Sequence, residues 1–98
     1  MMPRMTREDV ERIARAVSDP VRLEILSRIG QSASDEFACA DLKTAFDLTP
    51  ATISHHMKEL QEAELIEARR EGKFMNYRLN RPRWAAYLRE LKRLVPEK

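Results

Sequence analysis

The sequence predicts a mainly α fold with a small β-hairpin, formed by a single domain over residues 1–98. Three observations lead to this fold class. Apolar residues recur at helical spacing along most of the chain, two of the helices so defined are separated by a very short turn, and a stretch of alternating residues follows them. Two helices joined in this way form a helix-turn-helix, and a hairpin directly after it forms a wing. The expected architecture is therefore a winged helix-turn-helix.

Two helices are expected before this unit, and capping residues mark where they begin. Thr6 is suited to cap a helix over residues 6–17. The apolar face of this helix consists of Val10, Ile13, Ala14 and Val17. Asp19 and Pro20 are suited to begin the second helix, and Gly30 is expected to end it. The apolar face of the second helix consists of Val21, Ile25, Leu26 and Ile29.

The helix-turn-helix occupies residues 41–65. The apolar face of its first helix consists of Leu42, Ala45 and Phe46. Thr49 and Pro50 fit the cap and first turn of the second helix, over residues 49–62. Its apolar stripe consists of Ile53, Met57 and Leu60. The opposite face is short and polar, and the second helix of such a unit enters the DNA major groove. The candidate DNA contacts on this helix are Thr49, Ala51, Thr52, Ser54, His55 and Lys58.

Alternation after this unit predicts a hairpin over residues 66–79, which would be the wing. Its inner face is expected to hold Ile66, Ala68, Met75, Tyr77 and Leu79. Its projecting end is basic, and long basic side chains there can reach DNA phosphates or the minor groove. The candidate DNA contacts on the wing are Arg69, Arg70 and Lys73. The alternative is a hairpin that only covers the core. Phe37 and Ala38 fit a further, very short strand.

The last segment, residues 81–95, has more apolar surface than a terminal helix of so small a domain can easily bury alone. We expect it to form a dimer interface together with the first helix. The residues expected at this interface are Val10, Trp84, Tyr87, Leu88, Leu91 and Val95. The alternative is a helix folded back on its own core.

The basic residues are concentrated after the helix-turn-helix, although the net charge is only +2. Residues 34–68 contain eight acidic residues and two lysines, whereas residues 69–93 contain nine Lys and Arg residues and two acidic ones. This distribution favours a polyanionic partner such as double-stranded DNA, and a solvated, salt-bridged surface is the alternative. No apolar run approaches the ~20 residues of a membrane span. We expect a cytoplasmic protein without membrane contact.

Catalytic residues and cofactors are not predicted. The sequence has no Gly-rich phosphate loop, no convergent carboxylate pair and no nucleophile with a plausible base. His55 and His56 are neighbours on a helix, where adjacent side chains do not converge on one ion. We expect His55 to be exposed for DNA contact and His56 to be partly buried and hydrogen-bonded. The chain is therefore not expected to be an enzyme.

Three stretches resemble the ArsR/SmtB family of winged helix-turn-helix repressors. They are Ser18-Asp19-Pro20-Val21-Arg22-Leu23-Glu24-Ile25-Leu26, Ala51-Thr52-Ile53-Ser54-His55-His56-Met57-Lys58-Glu59-Leu60 and the basic hairpin. The resemblance covers nearly the whole chain. It implies a bacterial transcription factor that is a homodimer, with its first and last helices at the interface. It also implies a palindromic operator and an inducer, such as an unidentified small molecule, that releases the protein from it.

The chain departs from the family pattern at helix ends and at the family's metal site. Asp47 and Glu64 stand where the family often has Gly, and Glu in a left-handed conformation costs about 1 kcal/mol. The family's metal-site motif reads Glu-Leu-Cys-Val-Cys-Asp-Leu, and its two thiols correspond to Ala38 and Ala40 in this chain. We therefore expect no metal site. Cys39 lies on the apolar face of its helix, so a buried thiol is expected, and a redox-responsive repressor is the alternative.

Two function classes fit these observations. The small polar outer face of residues 49–62 and the basic wing favour a sequence-specific DNA-binding repressor. The alternative is a winged-helix adaptor for protein interaction, which would more often carry exposed apolar anchors on that face.

Overall fold

Five helices and three strands form the part of the chain that the computed structural model describes, residues 4–34 and 36–98. In chain order they are α1 (Arg7–Val17), α2 (Pro20–Gln31), β1 (Glu36–Ala38), α3 (Cys39–Ala45), α4 (Pro50–Glu62), β2 (Ile66–Glu71), β3 (Phe74–Leu79) and α5 (Arg81–Leu94). This is the predicted order, with the very short strand present as β1. None of the helices in the described part is long and apolar enough to cross a membrane.

Side-chain caps fix the starts of α1 and α2, as the sequence predicts. The Thr6 hydroxyl accepts a hydrogen bond from the backbone N–H of Asp9, and the Asp9 carboxylate accepts one from the backbone N–H of Thr6, at 3.1 and 2.9 Å. This reciprocal pair is a capping box. The Asp19 carboxylate accepts hydrogen bonds from the backbone N–H groups of Val21 and Arg22 at 2.8 and 3.1 Å. Both helices therefore begin at defined residues.

The second helix does not end at Gly30, contrary to the expectation from the sequence. α2 continues to Gln31, and Ser32 follows as its C-terminal cap. Of the two glycines in the chain, only Gly72 has a positive φ. Glycine permits a left-handed helix stop but does not impose one. The Arg81 guanidinium donates a 2.8 Å hydrogen bond to the Gly30 carbonyl, which joins the end of α2 to the start of α5.

The sheet is antiparallel with strand order β1-β3-β2. β2 and β3 pair along their whole length and leave a two-residue turn. Gly72, the first residue of this turn, has a φ of 60°, which suits the position where a type II′ turn requires glycine. Ile66 and Leu79 at the base of the hairpin are buried, but Ala68 is exposed. The prediction that Ala68 is buried is wrong because β2 is the edge strand of the sheet, whereas its cross-strand partner Tyr77 on the central strand packs against the core.

One apolar core joins the helices to the base of the sheet. Its members are Val10, Ile13, Ala16, Ile25, Leu26, Ile29, Leu42, Ile53, Met57, Leu60, Ala63, Leu65, Ile66, Leu79 and Tyr87. Ala14 and Ala45 are exposed, although the helical spacing places them on core faces. The buried face of α1 is centred nearer to Ala16, because α2 and α4 pack on that side of the helix.

Glu64 has a φ of 60° directly after α4. The backbone N–H of Leu65 donates to the Leu60 carbonyl at 3.1 Å, and that of Glu64 donates to the Gln61 carbonyl at 2.9 Å. These two bonds form a Schellman motif, and the apolar contact that usually accompanies it is supplied by buried Leu60 and Leu65. α4 is therefore followed by a residue in the left-handed conformation. Glycine is usual at such a position, and here it is occupied by Glu64.

Candidate nucleic-acid interface

The two long faces of α4 have opposite character. The predicted stripe of Ile53, Met57 and Leu60 is buried in the core. The predicted DNA contacts on the other face are exposed: Thr49, Ala51, Thr52, Ser54, His55 and Lys58. The Thr49 hydroxyl caps α4 by accepting a hydrogen bond from the backbone N–H of Thr52 at 3.2 Å. The helix thus presents short polar side chains to solvent from a fixed starting point.

Arg22 on α2 joins α4 to the end of α1. Its Nη1 lies 3.3 Å from Nδ1 of His56. A guanidinium only donates, so the imidazole nitrogen is the acceptor in this contact. Arg22 Nε donates to the Ala16 carbonyl at 2.7 Å. The Arg22 backbone N–H also holds the pKa of Asp19 below its ordinary value. His56 is hydrogen-bonded as predicted, and it is buried rather than partly buried.

Arg83 on α5 forms a second junction, at the C-terminal end of α4. The residue is only 9% exposed. Its Nε donates to the Ala63 carbonyl at 3.3 Å, and its Nη2 lies 3.3 Å from Asp9 Oδ1 and 3.4 Å from Glu64 Oε2. The backbone N–H of Thr6, followed by the charge of Arg83, holds the pKa of Asp9 below its ordinary value. Arg83 therefore connects both terminal helices to the joint between α4 and the wing, where a cation also suits the helix C-terminus.

The three basic residues predicted on the wing have different surroundings. Arg69 lies 3.1 Å from Glu36 Oε1 and 3.4 Å from Glu71 Oε1, so its charge is largely balanced within the chain. Arg70 and Lys73 are exposed and form no ion pair with any residue of 4–34 or 36–98. The wing therefore offers two cations for an external polyanion and a third that is already paired.

The residues predicted at the dimer interface divide into two groups. Val10 and Tyr87 are each 5% exposed and lie in the core of their own subunit. These two side chains have almost no surface for a partner, because α1 and α5 already pack on each other through that face. The exposed or half-buried members of the predicted interface are Trp84, Leu88, Leu91 and Val95. The apolar surface of α5 is thus a narrower stripe than the spacing suggests.

Cys39 is half-buried rather than fully buried as predicted. It is the first residue of α3. The pKa of the neighbouring Tyr77 is raised, first by burial and second by the hydrogen-bonded thiol of Cys39. Cys39 also lines a cleft of about 440 Å³ between α3 and the wing, together with Lys43 and Lys73. Within residues 4–34 and 36–98, no group of three or more His, Cys, Asp and Glu side chains is arranged to hold a metal ion.

Three further residues of this region are not evident from the sequence pattern. Arg22 lies in a stretch that resembles the family, three residues after the helix cap Asp19. Its place in the first turn of a helix is the one sequence feature that could have drawn attention to it. Arg83 is one of nine basic residues in its part of the chain, and nothing in the spacing marks it as buried. Phe74 has the pattern of an ordinary strand residue, yet it is exposed at the end of the wing.

Comparison with known proteins identifies the family. A helix-turn-helix domain family matches residues 17–69. An arsenical resistance operon repressor from Staphylococcus xylosus is 37% identical over 76 residues, which cover 78% of this chain and 70% of that repressor. The chain belongs to the ArsR family of transcriptional repressors. As a member of this family it is a transcriptional regulator and not an enzyme, as the sequence predicts.

Solved structures related to the ArsR family have the same fold. An ArsR-like transcriptional regulator from Rhodococcus sp. RHA1 superposes with a TM-score of 0.77 at 25% identity, over 89% of this chain and 79% of that chain. The homodimeric winged helix-turn-helix DNA-binding domain of a Mycobacterium bovis protein superposes with a TM-score of 0.70 at 26% identity, over 99% of this chain and 94% of that chain. The predicted winged helix-turn-helix fold is confirmed.

Proposed function

We propose that this ArsR-family regulator is a homodimeric repressor that binds a palindromic operator in double-stranded DNA through α4 and the wing. The observation that carries the proposal is the geometry of α4. Its apolar face is buried, Arg22 holds its middle through His56, Arg83 holds its C-terminal end, and its exposed face is short and polar. A rigid helix with such a face fits the major groove. The homodimeric DNA-binding domain from Mycobacterium bovis supports this assignment.

The exposed residues divide by the part of DNA that they suit. Thr52, Ser54 and His55 have short polar side chains that can bond base edges in the major groove, and an alanine methyl such as that of Ala51 can contact a thymine methyl. Thr49 at the start of the helix and Lys58 further along it suit the phosphate backbone. On the wing, Arg70 and Lys73 are the main phosphate contacts. Arg69 contributes less, because two acidic side chains already balance its charge.

The homodimer forms through the terminal helices α1 and α5. Leu88 on α5 and Val95 just after it are 46% and 75% exposed in the isolated subunit, whereas Trp84 and Leu91 of the same stripe pack partly against the core. A two-fold axis between the paired helices would place two α4 helices on successive major grooves, which matches a palindromic site. The single domain of residues 1–98 would act in the bacterial cytoplasm.

DNA release in this proposal does not use a transition metal. Soft-metal sites need convergent Cys or His ligands, usually three or four. One subunit offers Cys39, His55 and His56, and the structure commits His55 to the exposed face of α4 and His56 to Arg22. An inducer that releases the protein from DNA would in this proposal be a small molecule and not a transition-metal ion.

The proposal is tested by selecting an operator from random duplexes and measuring its affinity, and that of random DNA, at several salt concentrations. Arg70→Ala or Lys73→Ala should weaken both complexes similarly and lower the salt slope by roughly 0.9 for each phosphate that the variant no longer neutralises. Lys92→Ala, an exposed lysine on α5, is the matched control and should keep the slope. Wing variants that retain the full slope would show that the wing assignment is wrong.

Variants of α4 test the other half of the proposal. Thr52→Ala, Ser54→Ala or His55→Ala should change which operator sequences are preferred, because these side chains face base edges. A shift in affinity that is equal for all sequences would contradict base contact. A chain that binds no duplex at any salt concentration would favour the adaptor function instead.

A further inference from the structure

We infer that Phe74 is an apolar wedge at the end of the wing that inserts into the minor groove of the operator. The inference rests on the proposed DNA binding by the wing and adds a contact of a different chemical kind. It predicts that the protein unstacks or bends its operator, which the polar contacts of α4 and the phosphate contacts of the wing do not require.

The exposure of Phe74 sets it apart from every other aromatic residue of the chain. Its residue surface is 69% exposed. The other aromatic side chains lie in the core or pack against it: Phe37, Phe46, Tyr77, Trp84 and Tyr87. An aromatic ring left in water forgoes the gain from burial, so an external surface that covers the ring would be favoured.

The position of Phe74 suits a narrow groove. It is the first residue of β3, directly after the two-residue turn of Gly72 and Lys73. A two-residue turn is the tightest common hairpin connection, and the ring stands beside it on the cleft between α3 and the wing that Cys39 also lines. The minor groove is only about 6 Å wide, and slim protein segments can enter it.

Charges around the ring also suit DNA. Arg70 and Lys73 are exposed cations without an ion-pair partner among residues 4–34 and 36–98. The nearest acid along the turn is Glu71, which pairs with Phe74 across the hairpin, and its carboxylate lies 3.4 Å from Arg69. Lys73 in the turn and Arg70, on the opposite face of the hairpin from Phe74, can therefore reach phosphates on both sides of the groove, while Arg69 offsets part of the charge of Glu71. Minor-groove proteins commonly combine cations with an inserted apolar side chain in this way.

A protein partner fits this surface less well than DNA. Protein interfaces use contiguous apolar patches. The other large exposed apolar residues are Leu23 on α2, Leu88 in the middle of α5 and Val95 just after it, and they are not on the wing. Around Phe74 the turn carries charged side chains instead.

The test uses the full chain, the selected operator and a fluorescent donor and acceptor at the two DNA ends. Phe74→Ala should lower operator affinity about tenfold and reduce the protein-induced bend. Its salt slope should equal that of the wild type, because an apolar contact releases no counterions, whereas Lys73→Ala lowers the slope. Phe74→Leu should keep most of the affinity, since leucine also acts as a wedge. Leu23→Ala, an exposed apolar residue away from the wing, is the matched control.

Unstacking is measured separately with 2-aminopurine placed at successive positions of the operator. The wild-type protein should increase the fluorescence at one step in each half-site, and Phe74→Ala should not. If Phe74→Ala keeps the affinity, the bend and the fluorescence change, the wedge is overturned while the proposed function stands. If the wild type binds no duplex, the proposed function itself fails.

Discussion

Arg83→Met is the substitution that most directly tests how the recognition helix is held. Methionine keeps an unbranched apolar stem of similar length but removes the guanidinium, so packing is largely preserved while three polar interactions are removed. These interactions join Arg83 to the Ala63 carbonyl at 3.3 Å, to Asp9 at 3.3 Å and to Glu64 at 3.4 Å. The expected result is a less stable protein with weaker operator binding.

The magnitude follows from the exposure of each contact. The Arg83 side chain is 11% exposed, whereas those of Asp9 and Glu64 are 27% and 69% exposed. Hydrogen bonds to a charged group contribute about 1.5–3 kcal/mol when shielded, and an exposed ion pair contributes less than about 1 kcal/mol. All three distances are at the long end of the usual range, and solvent screens the contact with Glu64 almost fully. We expect a decrease of about 2 kcal/mol in the free energy of unfolding.

The assay is urea unfolding at one fixed protein concentration, because the stability of a dimer depends on concentration. Arg12→Met, which removes an exposed arginine from α1, is the matched control and should change stability by less than about 0.5 kcal/mol. Asp9→Asn combined with Arg83→Met should cost less than the sum of the two single changes, since both remove the same ion pair. The reasoning is refuted if Arg83→Met is as stable as the control, or if the effects of the two substitutions simply add.

Three further predictions concern dimerisation, acid stability and sensing. Leu91→Arg places a charge in the apolar stripe of α5, so sedimentation should show a monomer or an unfolded chain. A variant that dimerises with wild-type affinity would contradict the proposed interface. The folded protein lowers the pKa values of Asp9 and Asp19, so each carboxylate stabilises the fold fully above pH 3.8, its ordinary pKa, and this stabilisation is lost as the pH falls through the lower folded pKa. Asp19→Asn should therefore flatten the pH dependence of the free energy of unfolding below pH 3.8. Cys39→Ser should bind the operator normally, and zinc, cadmium or arsenite should not release the wild type; stoichiometric metal binding that Cys39→Ser abolishes would make Cys39 the sensor.

Local chemistry made most of the fold predictable. The caps at Thr6, Asp19 and Thr49 depend only on neighbouring residues, and all three helices start where the sequence predicts. The expected stop at Gly30 failed because a glycine only permits a left-handed residue, and the tertiary contact with Arg81 lies at that point of the helix. Alternation alone places Ala68 on the core face, but alternation does not show that β2 is the edge strand of the sheet.

The candidate DNA contacts on α4 were predictable because helical periodicity separates a buried stripe from an exposed one. Periodicity does not reveal which charges find partners between distant elements. Arg69 pairs with Glu36, which lies on a strand far away in the chain, whereas Arg70 beside it is unpaired. Periodicity could not tell these two arginines apart. For the same reason it could not find Arg83, whose partners lie on α1 and at the end of α4.

Glu64 shows how a local rule and a long-range contact can oppose each other. Its left-handed backbone costs about 1 kcal/mol relative to glycine, which would fit the same Schellman motif without strain. Its carboxylate lies 3.4 Å from Arg83, but the side chain is 69% exposed, so the ion pair contributes less than about 1 kcal/mol. The ion pair therefore offsets only a small part of the backbone cost. The guanidinium of Arg83 is held mainly by the Ala63 carbonyl and by Asp9, so the left-handed residue after α4 is maintained by the Schellman hydrogen bonds and by the burial of Leu60 and Leu65, not by the charge of Glu64.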